Sequence, residues 1–66
     1  SIDLPDAIKG MHFKIFTTAG ALTIDPNPAG GTTNLANGIT GTYAAGTAYQ
    51  LYNVIAFENN GWVISK

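Results

Sequence analysis

The sequence predicts an all-β domain: short antiparallel strands and tight hairpins, in a small sandwich or β-prism-like arrangement. Three observations predict it. Helix signals are almost absent, and turn-formers (8 Gly and 3 Pro) are spread through 66 residues. Thr occurs 8 times and Asn 6 times, and both suit turns and strand surfaces better than helix interiors. Apolar residues alternate with a period of two in several segments, the spacing that puts side chains on one face of a strand.

Ser1 to Leu4 reads as a first short strand, ended by Pro5. Pro5 to Gly10 has the pattern of one short helical turn with Gly10 as its terminator. His12 to Thr18 reads as the second strand, with Phe13, Ile15 and Thr17 on one face. Ala21 to Asp25 reads as the third, and Ala19-Gly20 between them as a hairpin loop. That loop sets Thr17 against Leu22, Ile15 against Ile24 and Lys14 against Asp25, which matches apolar with apolar and opposite charges with each other.

Asp25 to Gly31 holds two prolines and two glycines and is a loop. Thr32 to Ala36 and Ile39 to Ala44 read as short strands on either side of the Asn37-Gly38 turn. Ala45-Gly46 turns again. The longest strand spans Ala48 to Glu58, with Tyr49, Leu51, Ile55 and Phe57 on one face and Tyr52, Val54 and Ala56 on the other. Asn60-Gly61 leads into Trp62 to Lys66, a register that sets Phe57 against Ile64.

Composition excludes several roles. Charged residues are 11% of the chain, there is no Arg, and the net charge is -1. Nucleic-acid binding needs clustered Lys and Arg, and a polybasic membrane patch needs the same. No run approaches the roughly 18 apolar residues of a membrane-spanning helix. There is no Cys and a single His, so neither disulfides nor a structural zinc site can staple the fold. Residues 1–66 make one domain, and the non-Met start reads as a piece of something longer or a trimmed chain.

A domain of about 60 residues buries only about 60% of its unfolded surface, so small scaffolds lean on staples or on partners. Oligomerisation is the staple left. Leu51, Ile55, Phe57, Trp62 and Ile64 can close one small core with Phe13, Ile15, Leu22 and Ile24. That leaves Phe16, Tyr52, Val54, Ala56 and Val63 on the opposite faces as candidate subunit contacts. Burial between chains gains about 25 cal/mol per Å² removed from water. The expectation is an obligate homo-oligomer.

The order of motifs adds a resemblance to this. It runs Leu4-Pro5-Asp6-Ala7, Gly10-Met11-His12-Phe13-Lys14-Ile15, Ala19-Gly20-Ala21-Leu22-Thr23-Ile24-Asp25-Pro26 and Asn60-Gly61-Trp62-Val63-Ile64. It resembles a β-rich module of bacteriophage tail fibres and tailspikes. Asn27 to Thr47 matches that module only in composition. The resemblance implies an intertwined homotrimer exposed on the virion, which folds, trimerises or caps the shaft and in some cases touches a host surface glycan. The catalytic carboxylate pair of depolymerising tailspikes has no counterpart here.

The residues offer little to an enzyme. Asp3 and Asp6 flank Pro5 and read as turn chemistry rather than the paired acid and base of a glycosidase. His12 has no nucleophile motif to serve, since Ser1 and Ser65 sit at the chain ends. Gly30-Gly31-Thr32-Thr33 lacks the Lys and helix of a phosphate-binding loop. Asp25, Asn27 and Asn34 do not fit calcium-loop spacing, and no metal or cofactor is expected. Trp62 reads as core. Tyr43 reads equally as core or as a platform for a sugar ring, and Tyr43, Thr42 and Asn34 are the candidate ligand contacts. The leading expectation is a non-catalytic trimerisation or tip domain. The alternative is a receptor- or carbohydrate-binding module for a bacterial surface polysaccharide.

Overall fold

The computed structural model describes residues 1–66, which form seven strands and no helix. The strands are β1 (Ile2–Asp3), β2 (His12–Phe16), β3 (Leu22–Asp25), β4 (Leu35–Ala36), β5 (Tyr43–Ala45), β6 (Leu51–Glu58) and β7 (Gly61–Ser65). They make two sheets, ordered β1-β3-β5 and β2-β6-β7-β4. Their inner faces enclose one core of Leu4, Ala7, Ile24, Ala36, Ala45, Tyr52, Val54, Ala56, Trp62 and Ile64. The all-β class is as the sequence predicts. Both sheets are mixed rather than antiparallel, because β1 runs parallel to β3 and β4 parallel to β7.

The expected hairpin between β2 and β3 does not form. β2 pairs with β6, so that Lys14 opposes Asn53 rather than Asp25, and Ile15 opposes Tyr52 rather than Ile24. β3 pairs with β1 and β5 in the other sheet. Thr17 shows why. Its N–H donates to Gln50 O at 3.0 Å, and its C=O accepts from Tyr49 N at 2.7 Å. Its hydroxyl donates to Thr47 O at 2.6 Å. A fully buried Thr17 held by the 47–50 segment has nothing left to offer Leu22. The chain after it crosses to the second sheet instead of turning back.

Pro5 to Gly10 is not helical. Met11 N–H donates to Ile8 O at 3.0 Å, closing a β-turn with Gly10 at φ 98°. The Asn37-Gly38 turn forms as expected. Both residues have positive φ, 52° and 80°, and Ala36 and Ile39 exchange backbone hydrogen bonds across it. Asn37 also extends the sheet beyond β4. Its Nδ2 donates to Ile64 O and its Oδ1 accepts from Ile64 N, so a side-chain amide fills a ladder position on the β7 edge.

The β6–β7 hairpin forms, but its turn is Asn59-Asn60, with Asn60 at φ 64° and Glu58 opposite Gly61. A register shift between Ala56 and Glu58 makes Phe57 the extra residue of a bulge. Ala56 therefore opposes Trp62, and Val54 opposes Ile64. The small Ala56 leaves space for the indole across from it. Gly61 is buried inside the hairpin end, where an added Cβ would meet Glu58 Cγ at 2.7 Å and Phe57 Cε1 at 3.0 Å. Gly61→Ala is expected to lower stability by about 1–3 kcal/mol through this overpacking. A urea midpoint equal to that of the parent chain would show that the bulge relaxes without cost.

Candidate functional site

The register of β6 decides which surface is free. Opposed residues of an antiparallel pair share a face. The inner face holds Tyr52, Val54 and Ala56, all within 1% of full burial. This corrects the expectation that these three residues contact another subunit: their side chains already fill the chain's own core. The outer face holds Leu51 and Ile55, with Phe57 exposed at the bulge. Phe16 lies opposite Leu51 on β2, and Val63 lies opposite Ile55 on β7. Phe16 and Val63 are thus outward, as expected.

The result is an outer face across three strands with two exposed apolar groups, Phe16 with Leu51 and Ile55 with Val63. Phe16 is 58% exposed, and the ring of Tyr49 (74% exposed, φ 55°) sits 6.3 Å from it. His12, Lys14, Asn53 and Ser65 are the polar side chains in phase with this face. The polar row Lys14–Asn53–Ser65 separates Phe16 and Leu51 from Ile55 and Val63, and exposed apolar groups of this size on a chain with few charges make this face the candidate contact surface. Sequence reasoning placed Leu51, Ile55 and Phe57 in the core because it put the β7 register two or three residues away.

The expected ligand contacts do not come together. Asn34 is buried, with 4% exposure. Its Oδ1 accepts from Ala7 N at 3.2 Å, and its Nδ2 donates to Asp6 Oδ1 at 2.9 Å. Its backbone is gripped by Asn27, whose Oδ1 accepts from Asn34 N and whose Nδ2 donates to Asn34 O and Thr40 O. These amides tie the Asn27–Asn34 loop to the N-terminal segment, so the expected ligand role of Asn34 is replaced by a structural one. The same bonds occupy the amide oxygens that the Asp25, Asn27 and Asn34 metal reading would need, while Asp25 Oδ1 accepts from Asn27 N.

Tyr43 is half-buried. It opposes the fully buried Ile24 and meets Tyr52 edge to face at 6.0 Å, which favours the core reading over an open sugar platform. Thr42 is exposed beside it. Neither residue lines the groove of about 350 Å³ that Asn34 shares with Pro5, Asp6, Asn27 and Pro28.

A second cleft of about 280 Å³ lies between β1 and β2, lined by Ile2, Phe13 and Ile15 with Asp3 and Lys14 beside them. No three His, Cys, Asp or Glu side chains converge anywhere in the chain, and no helix is long and apolar enough to cross a membrane. No family model matches the chain, and no curated protein or solved structure does.

Proposed function

We propose that this chain is a non-catalytic structural module of a bacteriophage tail fibre or tailspike, a trimerisation or tip domain that assembles with two copies of itself on the virion. The observation that carries the reading is the apolar outer face formed by Phe16, Leu51, Ile55 and Val63, with Phe57 beside it. A 66-residue chain without a disulfide gains stability by covering such a face with its own copies. The all-β fold and the motif order from Leu4-Pro5 to Asn60-Gly61-Trp62 support the appendage assignment.

Sedimentation at micromolar concentration tests this reading. The parent chain is expected at three times its 6.9 kDa mass. Ile55→Asp puts a charge at the middle of the outer face and is expected to give a monomer with an unchanged far-ultraviolet spectrum. A folded monomer of the parent chain overturns the reading.

The groove of about 350 Å³ beside Asp6 and Asn27 supports a second reading, recognition of a bacterial surface glycan. Glycan-array binding by the isolated domain that is lost on shortening the Asn27–Asn34 loop would favour it. A blank array retires it.

A further inference from the structure

Two free edges border one cleft. β1 is an outer strand of the three-stranded sheet, β2 is an outer strand of the four-stranded sheet, and the 280 Å³ cleft lies between them. Their backbones show which groups are open. Thr17 N–H donates to Gln50 O and Met11 O accepts from Ala56 N, so both residues bond across to the β6 side. Strand residues alternate sides, so Phe13 and Ile15 also face β6, while His12, Lys14 and Phe16 turn their N–H and C=O to the open edge. In β1, Leu4 N–H donates to Asp25 O, toward β3, so Asp3 turns its own N–H and C=O to the open side.

The charges follow the same geometry. Asp3 on the β1 edge is the register neighbour of Asp25 on β3, and both lie on the face opposite buried Ile24, so two carboxylates stand side by side next to this edge. The β2 edge carries Lys14, with His12 two residues away on the same face. The other outer strands, β4 and β5, carry no charge.

We propose that β1 of one copy pairs with β2 of the next, with Asp3 opposite Lys14. The three-stranded sheet of one chain then continues into the four-stranded sheet of its neighbour. Set antiparallel, the pairing puts Ser1 opposite Phe16. It stops at Pro5, which has no N–H to give the ladder. Lys14 meets the Asp3–Asp25 pair on the outer face, and Ile2 meets Phe13 and Ile15 on the inner one. Each copy uses β1 once and β2 once, so the contact can repeat head to tail, and the trimer reading sets the closed ring at three copies.

The inference rests on the self-assembly reading and is tested apart from it. Asp3→Lys and Lys14→Glu are each expected to weaken assembly by about tenfold, since each turns attraction into repulsion at every contact. The double variant is expected to restore assembly. In the parent trimer, hydrogen exchange at the Lys14 and Phe16 amides is expected to be slow. A trimer in which these two amides exchange freely, or one indifferent to both single reversals, overturns the edge pairing and leaves the assembly reading intact. A parent chain that stays monomeric overturns both.

Discussion

Trp62→Ala is expected to leave the chain unfolded at neutral pH and room temperature. Trp62 has no exposed surface, opposes Ala56 across the hairpin and lies 5.8 Å from the Phe13 ring. Its Nε1 donates to Pro5 O at 3.3 Å, so it also fastens the N-terminal segment to the four-stranded sheet. Emptying such a site costs about 3–5 kcal/mol. A chain of 66 residues has roughly 3–10 kcal/mol in total. Circular dichroism and urea titration read the result directly. Trp62→Phe keeps most of the volume and loses only the N–H donor, so it is expected to stay folded with a lowered midpoint. A cooperative transition retained in the alanine variant would mean that the core closes around the gap. It would also remove the indole from its place as the hub of the fold.

The strand content was legible because turn chemistry is local. Asn37-Gly38 supplies two residues that tolerate positive φ, and the turn sits where those residues predict it. Which strand pairs with which was less legible, because pairing is a competition. Ala19-Gly20 offered β2 a near neighbour with matching faces. The eight residues of β6 offered a longer partner, and the tethering of Thr17 to Thr47 and Gln50 removed the turn.

The phase of β6 was illegible for a different reason. Both of its faces carry large apolar side chains, so alternation alone gives two equal answers. The choice comes from β7. Trp62 needs a small residue opposite it, and the bulge at Phe57 delivers Ala56. A bulge inserts one residue into a period of two and exchanges the faces beyond it, and no two-residue pattern announces it. An apolar outer face is present in either phase. Whichever face of β6 turns inward, the other remains apolar. The argument from Phe16 and Val63 therefore carries over to Leu51, Ile55 and Phe57. Asn34 misled in the opposite direction. An Asn in a Gly- and Thr-rich stretch looks exposed, and only its distant partners Asp6 and Ala7 show that it is buried.

Asn34→Asp is expected to cost about 2–4 kcal/mol at neutral pH. The change conserves shape and keeps an oxygen for Ala7 N–H, so cavity formation plays no part. What changes is the group facing Asp6. The parent amide donates from Nδ2 to Asp6 Oδ1 at 2.9 Å, whereas the variant sets carboxylate against carboxylate in a half-buried place. A proton shared by those two carboxyls is held in the folded variant and released on unfolding, so the variant regains stability as pH falls. Asn34→Leu separates the two contributions. It removes the repulsion together with the bonds, leaves the Ala7 N–H buried without a partner and gains nothing from acid. Chemical denaturation of both variants at neutral and mildly acidic pH measures the difference. Should the aspartate variant match the parent at neutral pH, the tie between the Asn27–Asn34 loop and the N-terminal segment would not depend on this amide. The loop would then be free to serve the glycan groove instead of the fold.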